Sequence, residues 1–366
     1  MSDVETEAAA LRRRLADRLT DADDPWHDAL QQVPRHRLLE QEAFTVYDHI
    51  WQIPEHLSRE WLAYVYSDAD LVADLDEQGH AVPLAIRPSD VLTLFGALDA
   101  REGDPVLHIG TGTGYVPALL AHRLGSHRVT TVEIDPRRSL HAWRAVAGIG
   151  YHPHVVTGDG HAGAPGEAPF HRILATGRPA WLPPAWIRQT VDGGLILTPL
   201  GRGIARLCVD GGRAEGRFLP APADMPPLIT LTTPAPPPPE AAVRGSTPER
   251  TGMDVNRLVT DLAIPLSFAL PDHMLHVRRD DEEGKIATVR MWTLDGSTLV
   301  VDTSGAVWQA GPRRLWPTVA ELDDLFPVPP AREDFGISAT LDRQHVWYQT
   351  PDGPSWPLHT PAAGHS

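Results

Sequence analysis

Val106-Leu107-His108-Ile109-Gly110-Thr111-Gly112-Thr113-Gly114 is the stretch that decides how this chain folds. Its first half reads as a short buried strand, and it runs straight into 115–124, an apolar segment with helical spacing. About two dozen residues on comes Arg128-Val129-Thr130-Thr131-Val132-Glu133-Ile134-Asp135, a second strand ending in acid. Strand, glycine-rich turn, helix and acid-terminated strand make one nucleotide-binding half. Glycines let the backbone turn tightly and approach a ligand closely. The helix start offers free N–H groups, and the acid can accept from ribose hydroxyls.

The glycine spacing narrows the ligand. A dinucleotide fingerprint reads G-x-G-x-x-G, whereas here the glycines fall at 110, 112 and 114 and Tyr stands at 115. A phosphate-binding P-loop needs Gly-Lys-Ser/Thr, and Lys285 is the only lysine, so that reading is excluded. G-x-G-x-G followed by a strand-terminal acid is the pattern of S-adenosylmethionine (SAM) methyltransferases; a tight turn in some other α/β protein is the plain alternative. The next strand, His154-Val155-Val156-Thr157, ends in Gly158-Asp159-Gly160, where the acid can accept from an adenine amino group or simply make an Asp-Gly turn. Further buried strands follow at 170–175 and 195–201, with a short helix opened by Pro183-Pro184 between them. Alternating strands and helices imply a mainly parallel sheet with helices on both faces, with ligands at the carboxyl ends of its strands.

Taken in order, the motifs resemble the protein-L-isoaspartate O-methyltransferases over about 25–220. They are Val33-Pro34-Arg35-His36, VLHIGTGTGY at 106–115, VEIDP at 132–136, GDG at 158–160, APFHRILATGRPAWLPPAW at 168–186 and DGGLILTPLG at 192–201. The later Gly311-Pro312-Arg313-Arg314-Leu315-Trp316 and the overall length look like a longer actinobacterial branch associated with tailoring of ribosomally made peptides (lanthipeptide or graspetide type). The resemblance implies a Rossmann-like SAM-dependent methyltransferase sheet and SAM as cofactor. It also implies transfer of methyl to an Asp or isoAsp side-chain carboxylate of a peptide. By matching motif it places His108, Gly110, Thr111, Gly112, Thr113, Gly114, Glu133, Asp159 and Gly160 around the cofactor, and Arg87 and Thr176 near the substrate.

Two departures from the family pattern matter. His108 stands where the family has Glu before Ile-Gly. Aligned back from Val106, the family's Thr-Ile-Ser-Gln-Pro segment becomes Leu84-Ala85-Ile86-Arg87-Pro88, so its active-site serine is Ile86 and its glutamine Arg87. Ser89 reads as the cap of the following helix. Loss of the serine need not abolish methyl transfer. A carboxylate with a reference pKa near 4 is ionised at pH 7 and needs no general base, and positioning alone is worth on the order of 7–11 kcal/mol. Arg87 is the candidate for gripping that carboxylate, by a bidentate pair. Three readings remain: a peptide-tailoring methyltransferase, a general isoaspartate-repair methyltransferase, and a degenerate, non-catalytic SAM- or peptide-binding protein.

Bulk composition sets further limits. The 366 residues carry a net charge of -16, which argues against general affinity for nucleic acid. Cys208, the only cysteine, excludes an intrachain disulfide and reads as a core residue. The 18 histidines show no ligand-set spacing, and no metal is expected. No stretch approaches 18 consecutive apolar residues and no signal-peptide pattern opens the chain, so a cytoplasmic protein without membrane contact is expected. The segments are a helical and cap region at 1–87, the SAM-binding domain at 88–220, a proline-rich linker at 221–249 and a β-rich accessory module at 250–366.

Overall fold

The computed structural model describes residues 3–39, 55–75, 81–222, 225, 228, 243, 247–271, 273–280 and 284–358. The amphipathic α1 (Asp3–Leu19) packs on α2 (His27–Gln32) and α3 (Arg59–Val65). Ala8 and Leu15 of α1 and Trp61 and Leu62 of α3 form a small core of their own. The hairpin β1 (Leu71–Leu75) and β2 (Ala81–Ala85) leads into α4 (Pro88–Leu98). Pro88 occupies the first helical position, so Arg87 rather than Ser89 is the N-cap residue. Asp68 takes over the capping, its Oδ1 accepting the Ser89 N–H at 2.9 Å.

The nucleotide-binding half follows as read. β3 (Val106–Ile109), α5 (Tyr115–Leu124), β4 (Val129–Glu133), α6 (Pro136–Gly148) and β5 (His154–Thr157) alternate, and then β6 (Phe170–Ala175), α7 (Pro184–Gln189) and β7 (Thr190–Leu200) repeat the pattern. Every residue of β3 and β4 is buried, as befits strands covered on both faces. These strands pair in parallel in the order β7-β6-β3-β4-β5. Asp192-Gly193-Gly194, which reads as a turn, instead lies inside β7. The chain then reverses through β8 (Gly203–Asp210) and β9 (Arg213–Pro222), joined by a turn with Gly211 and Gly212 at positive φ. Alternation along β8 buries Leu207 and Val209 and turns Cys208 outward, so the cysteine is not a core residue.

Most of the proline-rich segment, including Pro236 to Pro239 and the edge strand expected at 228–231 beyond Leu228 itself, lies outside the described residues. So does much of the cap region at 37–86. Past it, β10 (Glu249–Arg250), β11 (His273–Arg279), β12 (Ile286–Thr293), β13 (Thr298–Asp302) and β14 (Ala306–Ala310) make a five-stranded antiparallel sheet, with α8 (Ala263–Ala269) between β10 and β11 in the chain. After α9 (Trp316–Leu325) the chain returns to the first sheet. β15 (Phe335–Ala339) pairs with β9, and β16 (Gln344–Tyr348) and β17 (Ser355–Pro357) extend it, giving ten strands in all. The boundary expected at 250 is therefore crossed by backbone hydrogen bonds. Hydrophobic packing crosses it too: Leu107, Ile173 and Trp186 share one contiguous core with Phe268, Met291 and Phe335. The other face of the parallel strands is covered by α4 and α5 through Leu94, Phe95, Ala118 and Leu119. No helix among the described residues is long and apolar enough to cross a membrane.

Candidate active site

All three glycines of the loop at 110–114 adopt positive φ, +96° at Gly110, +54° at Gly112 and +89° at Gly114. Side chains would be strained there on backbone grounds alone. At Gly114 a Cβ would also lie 2.6 Å from Cγ2 of Val146, so glycine lets the start of α5 approach α6. Gly114 is itself the N-cap of α5 and supplies no capping side chain, which leaves the first amides of the helix available to a ligand. The loop sits on the carboxyl edge of the parallel strands, where ligands of such sheets bind.

The threonines and His108 hold this loop from beneath. His108 is fully buried, with Nδ1 3.0 Å from Oγ1 of Thr131 and Nε2 3.1 Å from Oγ1 of Thr176. Thr131 in turn bonds Thr111, and the Thr176 hydroxyl donates toward the carbonyl oxygens of Ile109 and Gly110. Both imidazole nitrogens are thus engaged by protein, and His108 is a strut below the loop, not part of its surface. Burial pushes its pKa down to about 3, so it stays neutral. The unfolded chain, with an ordinary histidine, takes up a proton below about pH 6.5 that the folded chain refuses, so stability falls as pH drops from there toward 3. The expected slope is about 1.4 kcal/mol per pH unit. In denaturant unfolding, the stability advantage of the unmodified protein over His108→Gln should shrink between pH 7 and pH 4; parallel curves would refute it.

At the end of β4, Glu133 accepts the Gly112 N–H at 3.0 Å through Oε2 and the Asp135 N–H at 3.3 Å through Oε1. A carboxylate has about four acceptor positions, so both oxygens keep capacity for ligand hydroxyls. At the end of β5, Asp159 accepts from the backbone and ring of His161 through Oδ1 alone, and Oδ2 has no partner among the described residues. The His161 ring stacks on Trp181 at 5.0 Å, a flat aromatic pair beside the Asp159 carboxylate. Nothing in the spacing announced this pair. Gly160 has a packing reason of its own, since a Cβ would meet Ile109 at 2.7 Å and Leu228 at 3.2 Å. Leu228 also leaves no room for a Cβ at Gly177, and its N–H donates to the Arg178 carbonyl at 2.7 Å. Leu228 therefore stands between the loops that end β5 and β6.

On the cap side, Ile86 is half-buried and packs with α4, with no polar function. Arg87 is exposed, and its fork is already engaged by Asp70 at 2.9 Å and Asp90 at 3.4 Å. A substrate carboxylate would have to displace one of them. Arg35, quoted as a motif residue but given no role by the sequence, is the organising group here. It is buried, donates to the carbonyls of Val65, Ser67 and Ile86, and lies over the Tyr115 ring at 5.2 Å. One guanidinium thus ties the end of α3, the Ile86–Arg87 segment and the first residue of α5 together. Among the described residues no group of three or more His, Cys, Asp or Glu is placed to hold a metal ion.

Comparison with known proteins agrees with this geometry. The family model for protein-L-isoaspartate(D-aspartate) O-methyltransferase matches residues 37–210. The protein-L-isoaspartate O-methyltransferase of Methanococcus maripaludis strain S2 is 33% identical over 183 residues, which is 48% of this chain and 84% of the relative. Protein-L-isoaspartate O-methyltransferase 2 of Archaeoglobus fulgidus is 31% identical over 166 residues, covering 45% and 74%. A solved protein-L-isoaspartate O-methyltransferase superposes with TM-score 0.53 at 17% identity, over 95% of this chain and 100% of its own, a likeness of fold that extends through the C-terminal strands. With sequence motifs, parallel sheet and relatives in accord, the chain belongs to the protein-L-isoaspartate (D-aspartate) O-methyltransferase family.

Proposed function

We propose that this protein is a SAM-dependent carboxyl O-methyltransferase acting on an Asp or isoAsp side chain of a peptide. The observation that carries the reading is the cradle at the sheet edge: three positive-φ glycines, an uncapped helix start, Glu133 with spare acceptor capacity and Asp159, whose Oδ2 has no partner among the described residues. Those groups fit SAM, with Glu133 toward the ribose, Asp159 toward the adenine amino group and the glycines along the methionine end. When bound, SAM supplies an electrophilic methyl group. The chain supplies position and exclusion of water. On this reading the carboxylate would enter between Thr176, just past the end of β6, and the Ile86–Arg87 segment held by Arg35. An already ionised carboxylate needs no base there, which is why Ile86 in place of serine is compatible with transfer.

The finer reading is that the substrate is one defined peptide, as in tailoring of ribosomally made peptides, with succinimide closure and loss of methanol following off the enzyme. The apolar Ile86 and a substrate-side arginine favour it over general repair, since they depart from the family's polar segment. The extra length does not discriminate, because the solved relative shares the fold over 95% of this chain. Calorimetry with SAM and S-adenosylhomocysteine, followed by labelled-methyl transfer to unrelated aspartyl and isoaspartyl peptides, tests both levels. Submillimolar cofactor binding with narrow peptide selectivity is expected. No binding would end the enzyme reading, and equal turnover of every isoaspartyl peptide would end the tailoring one.

A further inference from the structure

We infer that a groove beside the methyl-transfer edge binds carboxylates carried by the peptide substrate at positions flanking the methylated residue. This rests on the methyltransferase reading for its biological sense but not for its chemistry. The groove holds about 620 Å³ and is bounded by Arg87, Asp90, Arg202, Asp261, Ile264 and Arg332 among others. That volume is within the roughly 300–1,000 Å³ usual for ligand sites.

Its position follows from topology. β7 runs parallel to β6, so the Gly201-Arg202 turn after β7 lies on the same carboxyl edge as Thr176 after β6. Arg178, two residues past Thr176, reaches Nη1 toward the Gly201 carbonyl at 3.4 Å. The groove thus begins one strand along from the proposed reaction site and is closed by the C-terminal region, through α8 and the segment at 329–332. Gly201 admits this closure, since a Cβ there would lie 2.3 Å from Ser267 Oγ and 2.7 Å from the Phe268 ring.

The charge balance gives the groove its sign. Asp90 pairs with Arg87 within the lining. Asp261 is held at 3.1 Å on one oxygen by Arg257, which also pairs with Asp323, and at 2.8 Å on the other by the Thr260 hydroxyl of the lining. Arg202 and Arg332 are left with no acidic partner among the described residues, and Nε of Arg332 is buried without any hydrogen bond. Two unneutralised guanidiniums facing one groove select planar anions, and carboxylates match their fork geometry. The chain as a whole, at net charge -16, repels acidic peptides, so affinity for one has to arise at such a local site.

The test is fluorescence anisotropy on the full chain, using a short labelled isoaspartyl peptide flanked by glutamates and its counterpart flanked by glutamines. The glutamate peptide should bind about tenfold more tightly, and the preference should vanish in Arg202→Ala/Arg332→Ala and fade with added salt. Arg202 is exposed, so Arg202→Glu alone should invert the preference even if replacing Arg332 perturbs folding. Equal affinity of the two peptides for the unmodified chain, or a preference surviving in the folded double variant, overturns the assignment. Calorimetry with S-adenosylhomocysteine is recorded separately. A glutamate preference without cofactor binding leaves the groove standing and removes the methyltransferase reading, whereas cofactor binding without the preference does the reverse.

Discussion

Glu133→Ala should weaken binding of S-adenosylhomocysteine by at least about a hundredfold while leaving the melting of the chain close to that of the unmodified protein. The carboxylate fixes the loop by accepting the amides of Gly112 and Asp135. In the proposed function its remaining acceptor positions would also meet the ribose hydroxyls. A hydrogen bond to a charged group contributes about 1.5–3 kcal/mol, so losing the ribose contacts along with loop order should cost about 3 kcal/mol, the hundredfold stated. Glu133→Gln keeps a carbonyl oxygen for Gly112 and should lose only about tenfold. Calorimetric titration of both variants reads this directly. Affinity in Glu133→Ala within a factor of about three of the original would detach Glu133 from the nucleoside.

The second large effect concerns Arg35. Burial lowers its pKa, yet three carbonyl acceptors and the Tyr115 ring keep the guanidinium in place. Val65 ends α3, so its carbonyl belongs to the negative pole of a helix. Arg35→Met keeps much of the volume and strands all three carbonyls. Relief of the buried charge offsets part of the loss, and a net destabilisation of about 3 kcal/mol is expected, a fall of roughly 4 °C in Tm. Methyl transfer should fall further than stability explains, because Ile86 and Arg87 lose their anchor. Arg35→Lys should recover part of the Tm and little of the transfer, since one ammonium cannot span three carbonyls in fixed directions. An unchanged Tm in Arg35→Met would show that the carbonyls find water instead.

What the sequence revealed was local. β3, β4 and the glycine loop were legible because each is a short run whose residue types alone fix its conformation. That Glu133 and Asp159 lie at the carboxyl edge of the sheet was legible because one ends a strand and the other follows the next strand within two residues. What stayed hidden depended on partners far along the chain. Nothing near Arg87 announces that Asp70, from a turn 17 residues earlier, occupies its fork. Arg35 reads as a motif letter until Ile86, 51 residues on, supplies a carbonyl. β11, His273-Met274-Leu275-His276-Val277-Arg278-Arg279, escaped notice because an edge strand with charged residues lacks the apolar signature of a central one. The pairing of Ile337 with Gly216 has no local trace at all.

That last pairing sets how the chain can be divided. A protein cut in the proline-rich segment would bare β9 as a raw edge and strip Phe268, Met291 and Phe335 from the packing around Trp186. The shortened product would not be a leaner catalyst but a sticky fragment, prone to pairing with itself through the exposed strand. Evolution could lengthen or recut the prolines, yet could not trade the tail for another without rebuilding the side of the catalytic half it completes.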